Sequence, residues 1–288
     1  MIVVTGATGQ LGREIAKELL KRVPAHQVGA SVRDPTKAAD LSSLGVRVRR
    51  GDFDDGKTLE HAFEGATQVL IVSSNARASG GDPLAQHRTA FAAARAAGAR
   101  RIVYTSHMAA SPASAFPPAR DHAATEDMLR DSGLAWTALR HGFYAQSGIM
   151  LMGGALNIGV IEAPADGKVS WTAHADLAAA DAFILTNEGR YDGPTPPLTG
   201  AEALDMADLA TIASELQGRP ISRKTLTDDD LRAKMAARGV PDGAVTIALG
   251  LYLASRNGEF ATIDPVLEQM LGRPAIRMRA LMAGKIGG

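Results

Sequence analysis

The chain has 288 residues, 45% of them hydrophobic and 22% charged, which is about two domains' worth, or one large domain with a lobe, and apolar enough to bury a core. Its 31 Lys and Arg balance 31 Asp and Glu, so the total charge shows none of the basic excess that nucleic acid attracts. Cysteine is absent, which excludes disulfides, thiolate nucleophiles, Cys-ligated zinc and iron–sulfur clusters.

The first half alternates short β-branched runs with helical patterns. Ile2–Thr5, Gln27–Val32, Val46–Arg49, Val69–Ser73, Arg101–Thr105 and Ala135–Leu139 read as strands. Leu11, Ile15 and Leu19 form one apolar helical stripe, and Pro83–Ala97 and Asp121–Ser132 read as further helices. This alternation predicts an α/β fold, a doubly wound parallel sheet of the Rossmann kind. After residue 140 it stops. Gly142–Ile161 carries no charge but holds five glycines, a poor membrane span. Asp176 reads as the cap of a helix over Leu177–Leu185, and Tyr191–Ala201 as a loop. Met206–Leu216, Asp228–Arg238, Gly243–Ser255 and Pro265–Leu271 read as helices. The expected division is a dinucleotide-binding domain over 1–140, to which later segments return, and a smaller, mostly helical substrate lobe over 141–288. The N-terminus lacks the basic and apolar regions of a signal peptide, so no membrane partner and a cytoplasmic location are expected.

Gly6-Ala7-Thr8-Gly9-Gln10-Leu11-Gly12 follows the first strand and opens a helix. Gly6 permits the tight turn, Gly9 lets backbone N–H groups approach a pyrophosphate, and Gly12 allows close helix–strand packing. Thr8, Gln10 and Leu11 fall in the same cradle. About 20 residues on, an NAD site would place an acidic residue for the ribose 2′-hydroxyl. The sequence there is Arg33-Asp34-Pro35, and Asp34 before Pro35 fits a helix cap. Arg33, with Lys37 one turn on, then suits a 2′-phosphate, and NADPH is expected in preference to NADH. Arg33 as a merely solvated loop charge is the alternative.

With that glycine motif, Gly51-Asp52-Phe53, Tyr104-Thr105-Ser106 and Leu139-Arg140-His141-Gly142-Phe143-Tyr144 in order, the chain resembles the NmrA-like branch of the atypical short-chain dehydrogenases. Within that branch it is similar to the bacterial type 2 quinone oxidoreductases and triphenylmethane dye reductases. The likeness spans nearly the whole chain, including Asp121–Glu126 and Gly239–Gly243. It implies that Asp52 and Phe53 flank the adenine, and that Ser73, Ser74 and Asn75 wall the nicotinamide ribose. It also implies that Tyr104, Thr105 and Ser106 lie under the nicotinamide, with His107 beside them. The bland alternatives are turn capping and loop hydrogen bonds.

Ordinary short-chain dehydrogenases donate a proton from a Tyr-x-x-x-Lys pair. Here the residues four places after the four tyrosines are Met108, Gly148, Thr195 and Arg256, so that acid is absent. A simple ketone becomes a basic alkoxide and needs such a donor. A quinone becomes a hydroquinone anion only about as basic as a phenolate, with a pKa near ~10. The missing pair therefore fits a planar, electron-poor acceptor held against the nicotinamide. Phe143, Tyr144, Met150, Met152 and Trp171 are the expected acceptor wall, or in part lobe core. His122 is the first candidate donor, with Tyr104 and His141 as further catalytic candidates, and His141 stands where close relatives carry asparagine. Singly, each histidine also suits a structural role. His122 and Glu126 share a helix face but lack a third ligand, so no metal is expected.

The reading is an NADPH-dependent reductase passing hydride directly to a quinone-like acceptor, without flavin or metal; the resemblance leaves a homodimer open. One alternative is a non-catalytic NADP(H)-binding redox sensor of the NmrA type. Another is a different reductase or an isomerase on the same scaffold.

Overall fold

The computed structural model describes residues 1–286. Seven parallel strands make the central sheet: β1 (Ile2–Thr5), β2 (Val28–Val32), β3 (Arg47–Arg50), β4 (Gln68–Ile71), β5 (Arg101–His107), β6 (Ala135–His141) and β8 (Gly193–Pro194), with β7 (Val160–Pro164) lying elsewhere. Their order is β3-β2-β1-β4-β5-β6-β8, and every adjacent pair is parallel. The chain winds outward from β1 in one direction and from β4 in the other. A crevice therefore opens beyond the carboxyl ends of β1 and β4, where the order reverses.

Each face of the sheet carries its own core. Leu11, Ile15 and Leu19 of helix Gln10–Leu20 pack on one face with Leu177, Ile184 and Leu185 of helix His174–Thr186. Leu59 and Phe63 of helix Gly56–Phe63 cover the other face, with Phe91 of helix Pro83–Ala96 and Leu129 of helix Pro117–Arg130. The helix over 174–186 thus belongs to the first core, although it lies far past the residue where the sequence alternation stops. Its far end is anchored by the buried Arg101, which reaches Gln68 Oε1 at 3.0 Å, Thr137 Oγ1 at 2.6 Å and the Tyr191 carbonyl at 3.1 Å. Gln68 in turn donates to the Leu185 carbonyl at 3.1 Å, satisfying a helix C-terminus that has no other partner within the helix.

The lobe has a third core around Phe116, Trp171, Met206, Tyr252 and Phe260. It is mainly helical, but β7 pairs in parallel with β9 (Ser222–Leu226). Neither strand shows an apolar period of two, because the ribbon carries charged side chains in ion pairs, one exposed and one largely buried. Lys224 reaches Glu162 at 2.8 Å, and Arg223 reaches Asp166 at 3.0 Å. Two expectations are corrected. Asp176 does not cap its helix, whose cap is Ala173; it is buried and accepts from Arg273 at 2.7 Å and the Ile276 N–H at 2.6 Å, tying the C-terminal segment down. The stretch 191–201 is not wholly loop, since β8 extends the sheet there.

Helix Gln10–Leu20 lies very close to β1. A Cβ built on Gly12 would stand 2.5 Å from the Gly6 carbonyl oxygen and 3.1 Å from that of Thr5. Both obstacles are backbone and cannot rotate away. Gly12→Ala is therefore expected to cost about 1–3 kcal/mol through the forced displacement of the helix. A thermal melt checks this, and an unchanged midpoint would mean that the helix can recede freely.

Candidate active site

The dinucleotide half of the site begins at Gly6, whose φ of 60° lies in the left-handed region that favours glycine. The Gly9 N–H donates back to the Gly6 carbonyl at 2.9 Å, closing the turn. Gly9 is also the helix cap and has no side chain to satisfy the first turn. The N–H groups of Gln10, Leu11 and Gly12 consequently face the crevice at the positive end of the helix, a site made for a phosphate.

One cavity of about 540 Å3 is lined by Thr8, Ser31, Arg33, Asp52, Phe53 and Gln86, among others. Arg33 is exposed and has no carboxylate partner among the described residues. The Asp34 carboxylate is turned away: it accepts from the Thr36 N–H at 3.1 Å and the Thr36 hydroxyl at 2.7 Å, and it caps the turn led by Pro35. The turn after β2 therefore presents a cation to this cavity and no competing acid from Asp34. Lys37 is a correction, since it lies outside both cavities with its ammonium 4.0 Å from Asp34.

A larger cavity of about 1040 Å3 adjoins the first, and Gly6, Gly9, Val72, Ser73, Ser74 and Asn75 line both. Gln10, Leu11 and Gly12 line its dinucleotide end, and Tyr104, Ser106, His107 and His122 its middle. Phe143, Tyr144 and Met150 line it on the lobe side, with Met150 72% exposed at the mouth. Phe116, Ile149, Leu156 and Ile247 join them there. These four carry no sequence signal that separates a wall from a core.

Strand alternation decides which candidates meet. Tyr104 shares a face of β5 with Ile102, the face covered by the helix over 117–130. That helix brings His122 Nδ1 to 2.8 Å from the Tyr104 hydroxyl. His141 shares the opposite face of the sheet with Leu139. There it meets the helix over 174–186, and its Nε2 lies 2.9 Å from Asp181 Oδ1 in a fully buried pair. His141 is thus not a cavity residue, which corrects its expected catalytic placement. Thr105 also points away from the cavity, and its hydroxyl accepts from the Ser73 N–H at 2.8 Å, shaping the loop after β4. Met152 and Trp171 belong to the lobe core and do not reach the cavity; the Trp171 indole N–H donates to the Leu204 carbonyl at 2.9 Å.

Hydrogen bonds settle the roles of the neighbouring groups. The Thr125 hydroxyl donates to the Asp121 carbonyl at 2.7 Å, so it accepts from His87 Nδ1 at 3.0 Å. His87 Nε2 then accepts from the Ser74 N–H at 3.0 Å and holds the loop after β4. The Ser106 hydroxyl donates to Glu126 Oε1 at 2.6 Å, and Arg140 binds both oxygens of the same carboxylate at 3.0 and 2.6 Å. Glu126 is thereby engaged, and no cluster of three metal-ligating side chains occurs among the described residues. Arg77 grips Asp121 with two nitrogens at the cavity edge, one of them at 2.5 Å.

Burial holds the tyrosine and the histidines in the middle of the site neutral. It raises the Tyr104 hydroxyl well above 10 and pushes His122 well below 6.5, an effect that the nearby His107, His87 and His141 reinforce. His107 is lowered to about 3 and His87 to about 4, again mainly by burial. At neutral pH, Tyr104 and His122 are therefore hydrogen-bond donors and acceptors without charge.

The comparisons with known proteins agree with this geometry. The NAD(P)H-binding family model matches residues 6–187, and the chain belongs to that family. Quinone oxidoreductase 2 of Escherichia coli is 35% identical over 275 residues, which cover 95% of this chain and 94% of the relative. The crystal structure of an Escherichia coli NADPH-dependent quinone oxidoreductase complexed with NADPH superposes with a TM-score of 0.91 at 33% identity, covering 100% of both chains. Citrobacter triphenylmethane reductase complexed with NADP(H) does so with a TM-score of 0.87 at 31% identity, covering 98% of this chain and 100% of that one. The protein is an NAD(P)H-dependent oxidoreductase of the NmrA-like, quinone reductase-like kind.

The buried histidines make stability depend on pH. Unfolded, His87 and His107 bind protons near 6.5; folded, they refuse them until about 4 and about 3. Below pH 6.5 the unfolded chain therefore binds more protons, and stability must fall as pH drops towards 4. Urea midpoints at pH 7.5, 6 and 5 are expected to decrease in that order, whereas a constant midpoint would mean that the folded histidines titrate normally.

Proposed function

We propose that the protein is an NADPH-dependent reductase that passes hydride directly to a quinone or a similar planar, electron-poor acceptor, without flavin or metal. The observation that supports this most is the continuity of the groove. It runs from the unpaired Arg33 guanidinium, past the free N–H groups of Gln10–Gly12, to an aromatic and aliphatic chamber walled by Phe116, Phe143, Tyr144 and Met150. The residues present fit a dinucleotide phosphate, because Gly9 caps the helix without a side chain and Gly12 lets the helix lie close to β1, so that the first-turn N–H groups face the crevice. A Cβ on Gly9 would lie 3.2 Å from the Gly6 carbonyl, and one on Gly12 only 2.5 Å. A reduced nicotinamide supplies the hydride when it is bound.

The chain's own contribution is to hold, orient and polarise. Arg33 reads the 2′-phosphate, while Asp52 and Phe53 receive the adenosine. Ser73, Ser74, Asn75 and Ser106 flank the nicotinamide half, with Ser106 held in place by Glu126 and Arg140. His122 donates from neutral Nε2 while Nδ1 accepts from Tyr104, so charge growing on an acceptor oxygen meets an oriented N–H in a site of low polarity. An imidazole this hard to protonate is no source of a proton at neutral pH. The hydroquinone anion, about as basic as a phenolate, takes its proton from water after the reduction. A chamber beyond the dinucleotide turn is what a reductase needs and a mere sensor of the dinucleotide does not.

The test is oxidation of NADPH by a small benzoquinone, with NADH in parallel. Turnover preferring NADPH is expected, and tight NADPH binding without turnover across several quinones and dyes would point to a sensor. Arg33→Ala should lower kcat/KM for NADPH by about 10–100-fold, as expected for losing an ionic hydrogen bond, and leave NADH nearly unchanged. Equal loss for both would show that Arg33 does not read the phosphate. His122→Phe should lower kcat roughly 100-fold with NADPH affinity unchanged; retained turnover would assign polarisation to another group.

A further inference from the structure

Two buried histidines on the larger cavity have no role above: His107 lacks a partner only at Nε2, since its Nδ1 accepts from the Ala109 N–H at 3.1 Å, whereas His174 lacks one at both ring nitrogens. His174 opens the helix over 174–186, is 6% exposed, and lines the cavity together with Gly9, Gln10 and Leu11. Its backbone N–H donates to Gln146 Oε1 at 3.4 Å, but neither ring nitrogen has a hydrogen-bond partner among the described residues. An imidazole always carries at least one donor, and buried polar atoms nearly always find partners. Burying both nitrogens without a partner is unfavourable, which marks a ring whose partner arrives with a ligand.

The ligand is identified by position. Helices 10–20 and 174–186 lie side by side on one face of the sheet, Leu11 and Leu177 sharing a core, so both helices begin at the same sheet edge. His174 lines the larger cavity only, whereas Arg33 and Phe53, at the adenosine end, line the other. We propose that His174 is a cofactor-binding residue whose imidazole hydrogen-bonds the nicotinamide half of the dinucleotide. Burial lowers its pKa to about 4 and keeps the ring neutral, and a neutral donor–acceptor pair suits a ribose hydroxyl or a carboxamide. The ring also stands edge-on to Tyr144 with centroids 4.5 Å apart, and simple packing on that tyrosine is the rival role. The proposal rests on NAD(P)H binding and is independent of which acceptor is reduced.

Calorimetric titration with NADPH and with adenosine 2′,5′-bisphosphate, which lacks the nicotinamide half, separates these roles. His174→Phe keeps a ring against Tyr144 but has no nitrogen. It should weaken NADPH about tenfold, the worth of one hydrogen bond, and leave the bisphosphate within about twofold of wild type. His174→Gln, which restores a donor and an acceptor, should recover part of the loss. Unchanged NADPH affinity in His174→Phe would overturn the proposal in favour of packing, and equal loss for both ligands would overturn it in favour of a displaced groove. A raised KM for benzoquinone with NADPH affinity intact would assign the ring to the acceptor instead. Should His174→Phe melt too low to titrate, His174→Leu set against His174→Gln makes the same comparison.

Discussion

The approach of helix 10–20 to β1, allowed only because residue 12 has no side chain, sets the geometry on which the other features depend. It presents the free N–H groups of residues 10–12 to the crevice between β1 and β4. It also seats the apolar stripe of Leu11, Ile15 and Leu19 against the sheet, and that stripe receives the helix returning from residue 174. The returning helix closes one side of the large cavity, places His174 on its wall and meets His141 beneath it. A helix standing even an ångström further from β1 would disturb phosphate cradle, cavity wall and lobe attachment together.

The chemistry of the site follows from burial. Three histidines line the middle of the cavity, and desolvation leaves His87, His107 and His122 uncharged. Such a set orients loops and polarises oxygen atoms but does not transfer protons at neutral pH. That suits an acceptor whose reduced form is a weak base, and it gives the missing Tyr-x-x-x-Lys pair a physical meaning. Carboxylates near the cavity are engaged as well, Glu126 by Ser106 and Arg140 and Asp121 by Arg77. Two cations of the groove have no carboxylate partner among the described residues, Lys285 on the lining of the larger cavity and Arg33 on that of the smaller one.

Much of this was legible in the residues. The six strands read from β-branched runs match β1 to β6 to within two residues at either end, because hydrophobic runs and turns are local signals. Gly6, Gly9 and Gly12 serve the turn as their spacing indicated, and Asp34 caps a turn as its proline neighbour indicated. Phe143, Tyr144 and Met150 line the cavity, but Met152 and Trp171, equally suited by chemistry, pack inside the lobe. A side chain's type says that it prefers burial, and not whether a ligand or a neighbouring helix will bury it.

The sequence by itself determined the alternation of strand and helix, the glycine turn after β1, the cation after β2 and the absence of a lysine-assisted tyrosine. Each is encoded within a few residues, by periodicity, by missing side chains or by spacing. The tertiary structure alone decided that Tyr104 meets His122 while His141 pairs with Asp181. It also decided that Asp176 ties down the C-terminal segment and that the ring of His174 stands unpartnered on the wall of the larger cavity. Those outcomes depend on which face of a strand a distant helix covers, a contact between residues 18 to 100 positions apart that no local pattern records.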